Sequence, residues 1–263
     1  MTDLHLVSWN RPEMTRLVID TIHKNTKPGT FRLVVLDNAS EPETVDMLQE
    51  MADAGLIHDF LPFKTNLGLE AARNLLLKNS TESDYFVCID NDCLPPPIED
   101  GKDWLERMLD LMDQYDQYGA ISMRTQVMIG TGNIFEEADE HDDDIVQFPH
   151  PGGSFRIMDT IAVRFVGGWD REAPGRGQEE RYICGKLNMD GFLTAFAAKV
   201  KCLHLFGVRE HTKERWGYAE HLEPKDTGHS DIAHPALEQG DQYEDVLLYA
   251  GEKLTDAYFN NKR

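Results

Sequence analysis

At Tyr85-Phe86-Val87-Cys88-Ile89 the chain is apolar at every position, and the run ends abruptly in Asp90-Asn91-Asp92. A strand with one wet face alternates apolar and polar side chains. An unbroken apolar run marks a strand covered on both faces, as in a parallel sheet sandwiched between helices. Parallel neighbours need crossovers, and the upstream sequence supplies them. Leu4 to Trp9 reads as a strand. Pro12 opens a helix with apolar positions at Met14, Leu17, Val18 and Ile22, which Pro28-Gly29 stops. Phe31 to Leu36 is a second strand, 42–51 a second helix, 57–63 a short third strand and 69–77 a helix rich in Ala and Leu. This alternation predicts an α/β fold with a mostly parallel sheet flanked by helices. Ligands of such sheets sit beyond the carboxyl ends of the strands. Three strands end in polar residues, at Ser8-Trp9-Asn10, Asp37-Asn38 and Asp90-Asn91-Asp92, and that edge is the expected site.

Downstream, 104–118 reads as an amphipathic helix and 120–127 as another strand. The stretch from Glu136 to Asp144 holds seven acids and no base. It reads as a solvated loop, since it lacks the alternating Asp/Asn pattern and central Gly of a calcium loop. The second half is less regular. A strand is expected over 161–166, a helix over 191–198, a last strand over 200–205 and a helix over 243–259.

Bulk properties narrow the partners. With 26 Lys+Arg against 47 Asp+Glu, the formal net charge is −21, which repels a phosphate backbone at long range. Nucleic acid and anionic membranes are therefore poor partners, and an anionic nucleotide needs a metal ion or a few placed cations. The first residues carry neither a basic region nor a long apolar one, and no stretch approaches 18 apolar residues, so a cytoplasmic protein without a membrane span is expected. The four cysteines, Cys88, Cys93, Cys184 and Cys202, show no Cys-x-x-Cys spacing and read as reduced thiols.

Asp90 and Asp92, one residue apart after a buried strand, can offer oxygen to one hard divalent cation, Mn2+ or Mg2+, shared with substrate phosphates. Alone, the pair could equally be a capped turn before Pro95-Pro96-Pro97. The segments Val7-Ser8-Trp9-Asn10-Arg11-Pro12, Val34-Val35-Leu36-Asp37-Asn38-Ala39-Ser40, Asn66-Leu67-Gly68-Leu69-Glu70-Ala71-Ala72-Arg73-Asn74 and Cys88-Ile89-Asp90-Asn91-Asp92 decide between these readings. In order and spacing they resemble the GT-A fold glycosyltransferases of the large inverting family two. Val166-Gly167-Gly168-Trp169-Asp170 and Gly177-Gln178-Glu179-Glu180 resemble that family's acceptor-side region.

The resemblance implies a single GT-A-like domain, with a nucleotide-sugar half over 1–127, an acceptor and catalytic half over 128–208 and a C-terminal extension over 209–263. It implies that Ser8, Trp9, Asn10 and Arg11 line the nucleotide, and that Asp37 accepts a hydrogen bond from a uracil-type base; otherwise Asp37 is a turn or cap residue. Asn66 and Gly68 would shape the ribose loop. Arg73 would lie near the diphosphate or hold Asp90, unless it makes only a helix-face salt bridge. Asp92 would ligate the metal, with Asp90 on the ribose or the metal and Asn91 on the nucleotide-sugar, and His204 would be a third ligand, with His211 a weaker candidate. Gly168, Trp169 and Asp170 would wall the acceptor site, although Trp169 reads equally as core. Glu179-Glu180 stands where the family usually has Glu-Asp. Glu180 is the expected base toward the acceptor hydroxyl, Gln178-Glu179 is the alternative register, and an acidic pair favouring a helix dipole is the bland reading.

The implied activity is metal-dependent inverting transfer of a sugar from a nucleoside diphosphate donor, UDP-linked by preference, to a hydroxyl of a glycan, lipid-linked or small-molecule acceptor. A sugar nucleotidyltransferase is disfavoured, because no Gly-rich basic phosphate loop follows the first strand. An inactive sugar-nucleotide or carbohydrate binder stays open through the Glu-Glu departure.

Overall fold

The computed structural model describes residues 1–125, 144–152, 155–170, 179–205 and 242–260. Among them, nine strands form one sheet in the order β3-β2-β1-β4-β8-β6-β9-β5, with β7 also paired to β9. The strands are β1 (Thr2–Ser8), β2 (Phe31–Asn38), β3 (Asp59–Phe63), β4 (Tyr85–Asp90), β5 (Cys93–Leu94), β6 (Tyr118–Thr125), β7 (Ile145–Gln147), β8 (Phe155–Asp159) and β9 (Leu193–His204). β1 to β4 are parallel neighbours, and β6 pairs parallel with β9. β8 lies antiparallel to both β4 and β6. Two reversals restore direction, so β6 and β9 point the same way as β1 to β4. The carboxyl ends of β1, β2, β4 and β9 therefore share one edge, where Ser8, Asn38, Asp90 and His204 are the last strand residues.

Helices cover both faces. On one face α1 (Pro12–Asn25), α2 (Pro42–Asp53) and α4 (Trp104–Gln114) bury Leu17, Ile22, Leu48 and Trp104 against Leu4, Leu6, Val35, Ile89 and Ile121. On the other, α3 (Leu69–Lys78), α5 (Thr160–Phe165) and α6 (Glu179–Met189) bury Leu77, Val163 and Leu187 against Phe86, Cys88 and Met158. This double cover explains why β4 is apolar at consecutive positions. α7 (Gln242–Ala250) and α8 (Glu252–Asn260) pack on α1, with Asn25 donating to the carbonyls of Pro95 and Tyr249. No helix among the described residues is long and apolar enough to cross a membrane. The four cysteines are free and buried.

Several expected elements are different in the structure. The strand expected over 161–166 is helix α5, because Asp159 caps it, its carboxylate accepting from the Ala162 N–H at 2.7 Å. The strand of that region is β8, just upstream. The helix expected over 191–198 and the strand over 200–205 are one long strand, β9. Its alanines favour helix locally, but pairing with β6, β7 and β5 overrides that preference. α4 ends at Gln114, and the tail helix is divided at Gly251, whose φ of +78° interrupts it. The strand expected over 120–127 spans 118–125, so its last two positions lie outside the described residues, as do 136–143, Gln178 and His211.

Candidate active site

Four parallel strands deliver their polar ends to one edge, and the residues gathered there are mostly ionisable. Asp90 closes β4 and is held by Arg73 of α3, whose Nη2 lies 2.9 Å from Asp90 Oδ1. Arg73 is itself buried, at 3% exposure. Burial pushes the Asp90 carboxyl up; Arg73 opposes this, while the negative charges of Asp92 and Glu180 add to it. Asp92 lies between Arg11 and His204. Arg11 Nη1 is 2.8 Å from its Oδ2, and His204 Nε2 is 3.4 Å from its Oδ1. Burial pushes Asp92 up, but the hydrogen bond and charge of His204, with Arg11, bring it below the usual carboxylate range. The same pairing outweighs burial at His204 and raises its imidazole.

Asp92, Cys93 and His204 each offer one ligand atom to a group in which these atoms all lie within 4.8 Å of one another. β5 builds it, since Cys93 pairs directly with His204 across to β9. A carboxylate oxygen and an imidazole nitrogen suit Mn2+, and a diphosphate would complete the oxygen set. Burial pushes the Cys93 thiol well above its ordinary value, and its soft sulfur is a poor match for a hard cation.

The turn after β1 aims Arg11. Asn10 and Arg11 both lie in the left-handed region, with φ of 56° and 62°. Such conformations cost about 1–3 kcal/mol each for non-glycine residues and persist only when neighbours enforce them. Here Ser40 Oγ accepts from the Asn10 N–H at 2.7 Å, and Asn10 Oδ1 accepts from the Glu41 N–H at 2.8 Å. Ser40 is in turn tied to Asp37, donating both its hydroxyl and its backbone N–H to the carboxylate. Asp37 is fully buried beneath this turn, and burial raises its carboxyl despite those bonds. It therefore serves as a turn residue, and contact with a base would require Ser40 to yield. Ser8 is also fully buried and lies behind the edge, whereas Trp9 is half-buried on it. Asn91 Nδ2 donates to Thr15 Oγ1 and fastens the acidic turn to α1.

The loop at 66–68 is held by an amide network. Asn38 Nδ2 donates to Asn66 Oδ1 at 3.1 Å, and Asn38 Oδ1 accepts from the Leu67 N–H at 2.7 Å. Asn66 Oδ1 also accepts from the Gly68 N–H at 2.9 Å. Gly68 has a φ of +78° and caps α3 at its start, an arrangement that favours glycine.

Glu179 and Glu180 form the first turn of α6, with Glu179 buried and Glu180 half-buried. Burial first, and then the charge of Glu180, raise Glu179 to about 7. The charges of both act on Arg73, and that of Glu180 acts also on Asp90, so the pair faces the strand-end acids. Trp169 is a core residue at 3% exposure, its ring edge-on to Phe86 with centroids 6.4 Å apart. It cannot wall an acceptor site from there. Gly168 is buried too, and exposed Asp170 is ion-paired to Lys186 at 2.9 Å. Sequence reasoning gave no role to Asn38, Ser40, Asn74 or Lys186. Asn74 is part of a motif quoted above, but its partner lies 95 residues away, and Lys186 carries no local signal.

A mostly parallel sheet with an acidic pair at the end of β4, answered by a histidine from a late strand, defines a GT-A glycosyltransferase scaffold. The family model described as "Glycosyl transferase family 2" matches residues 4–166, and the chain belongs to that family. No curated protein matches the sequence significantly. Similar solved structures share the fold. The mannosyltransferase PcManGT from Pyrobaculum calidifontis, in complex with GDP-Man and Mn2+, is 17% identical with a TM-score of 0.62, over 79% of this chain and 57% of that one. S. aureus TarS 1-349 in complex with UDP-GlcNAc is 14% identical with a TM-score of 0.60, over 81% of this chain and 61% of that one. GalNAc-T7 with UDP, GalNAc and Mn2+ is 13% identical with a TM-score of 0.62, over 79% of this chain and 44% of that one. The chain thus spans less than two thirds of the length of each.

Proposed function

We propose that this chain is a Mn2+-dependent inverting glycosyltransferase that takes a sugar from a UDP-sugar to an acceptor hydroxyl. The observation that carries the reading is Asp92 at the strand edge, flanked by His204 and Arg11 and one residue from the Arg73-bound Asp90. An oxygen and nitrogen donor pair favours Mn2+ over Mg2+, which prefers all-oxygen shells. Bound at Asp92 and His204, the metal would supply Lewis-acid neutralisation of the diphosphate leaving group. Arg11, released from Asp92, would turn its guanidinium to the diphosphate. Asp90, held by Arg73, would receive a ribose or sugar hydroxyl.

Glu180 is the base in this reading. It stands on a helix N-terminus across from Asp90 and is the less buried of the acidic pair. An inverting displacement needs one base to take the acceptor's proton as the hydroxyl attacks the anomeric carbon. Glu179, buried beside it, would hold the first turn. Support for uridine over guanosine comes from TarS and GalNAc-T7, whose structures hold UDP-GlcNAc and UDP. A glycan or lipid-linked hydroxyl fits the acidic chain better than nucleic acid does.

The test is a thermal-shift panel of UDP, GDP and other nucleoside diphosphates, each with and without Mn2+. UDP release from UDP-sugars is then compared between wild type and Glu180→Gln. Stabilisation by UDP only with Mn2+, and a fall of at least about 100-fold in release by the variant, is expected. Binding without release would make the chain a sugar-nucleotide binder, and a response to GDP alone would change the donor.

A further inference from the structure

Arg73 and Asn74 are consecutive on α3 yet serve opposite halves of the site. Arg73 reaches Asp90. Asn74 reaches the other way, its Nδ2 donating to the Trp169 carbonyl at 2.7 Å and its Oδ1 accepting from the Trp169 N–H at 2.9 Å. A side-chain amide that both donates to and accepts from one backbone residue acts as a missing strand neighbour, with directional bonds in both senses. The fit leaves no slack. Gly168 has a φ of +69°, and a Cβ there would collide with Asn74 Oδ1. The far side of the same loop is gripped by α6, where Lys186 Nζ donates to the Gly168 carbonyl at 2.8 Å and pairs with Asp170 Oδ1 at 2.9 Å.

Lys186 lies about two helical turns beyond Glu179 on α6. The helix also rests on the sheet through the apolar contacts of Ile183, Cys184 and Leu187, which carry no direction, and near its C-terminus Asn188 Nδ2 donates to the Pro149 carbonyl and to Thr194 Oγ1. Those bonds tie the helix to β9 and Pro149, whereas the hydrogen bonds through the loop tie it to α3. A chain of polar contacts therefore runs from Asp90 to Arg73, through the α3 backbone to Asn74, across Gly168 and Trp169 to Lys186, and along α6 to Glu179-Glu180.

We propose that Asn74 and Lys186 are positioning residues that clamp the Gly168-Trp169-Asp170 loop between α3 and α6, holding the base at a fixed distance from the donor acids. The inference rests on the reading of Glu180 as base. It requires that loosening the clamp spare donor binding and damage transfer, because a misplacement of about 1 Å can cost a reaction on the order of 100-fold.

Asn74→Ala, Asn74→Asp and Lys186→Met are to be compared with wild type at matched folded fraction. The readouts are calorimetric binding of UDP with Mn2+, UDP release from a UDP-sugar, and hydrogen–deuterium exchange. Asn74→Ala and Lys186→Met should bind UDP–Mn2+ within about twofold of wild type while kcat for release falls about tenfold or more. Amides in the first turn of α6 should exchange faster, and those of β1 and β4 should not change. Asn74→Asp, which still accepts from the Trp169 N–H but cannot donate to its carbonyl, should fall between. An unchanged kcat overturns the proposal. So does faster exchange throughout β4 as well as α6, which would mark a general loss of stability. If wild type neither binds UDP nor releases it, the transferase reading fails on its own. Exchange at the first turn of α6 then still decides whether the clamp holds that helix.

Discussion

Glu179 sits in an environment that contradicts its ordinary chemistry. It is 6% exposed at the start of α6, with a second carboxylate beside it. Burial, then the charge of Glu180, lift it from 4.5 to about 7. A carboxyl raised in the folded state binds its proton more tightly there than in the unfolded chain. Its contribution to stability is fully present below about pH 4.5 and is lost as pH rises through about 7. Glu179→Gln removes that dependence. The melting temperature of the variant minus that of wild type should therefore increase by a few degrees between pH 5 and pH 8, as read by calorimetry. A difference that stays constant would mean that Glu179 is ionised throughout. At this scale the sequence was legible where chemistry sits at a strand end. Asp90, Asp92 and His204 stand on one edge because parallel strands bring their carboxyl ends together. It was not legible for Trp169 or Ser8, since burial depends on what packs above them. Nor was it for Asn74 and Lys186, whose partners are far away in the chain.

Elements followed the sequence wherever local preference and tertiary demand agreed. β1, α1, β2, α2, β3, α3 and β4 have apolar spacing, prolines and glycines that all say the same thing. The two failures lie where they conflict. The β9 alanines read as helix, but the strand fills the gap between β6 and β7, where small side chains fit beneath α4. In α5 the β-branched and aromatic residues read as strand, yet Ile161 and Phe165 are over two-thirds exposed and only Thr160, Ala162 and Val163 are buried. A six-residue helix with so little buried surface depends on its cap. Asp159→Ala should lower stability by about 1 kcal/mol in urea denaturation, the usual cost of losing an N-cap, with nucleotide binding unchanged. A neutral result would show that packing of Thr160, Ala162 and Val163 sustains α5 without the cap.

The whole molecule carries a net charge of −21, while the nucleotide it is proposed to bind is also anionic. Repulsion acts over the Debye length, about 8–10 Å at physiological salt and about 30 Å at 10 mM. At the site itself, Arg11, Arg73 and His204 face Asp90, Asp92, Glu179 and Glu180, so local charge does not reverse the global field. On the proposed reading, contact with the site would depend on a cation that neutralises the diphosphate, which would make a metal centre and an acidic surface compatible. The consequence is kinetic. Added salt screens repulsion between two anions, so the on-rate of UDP, mixed free of metal with the Mn2+-preloaded protein, should rise about two- to fivefold between ~10 mM and ~150 mM salt. The on-rate of UDP presented with saturating Mn2+ should change less, because its charge is partly cancelled before the encounter. Stopped-flow fluorescence at a series of ionic strengths measures both. A protein that recruits anions through a basic surface has the opposite slope. A fall in on-rate with salt would therefore mean that Arg11 and Arg73 govern the approach despite the charge of the chain around them.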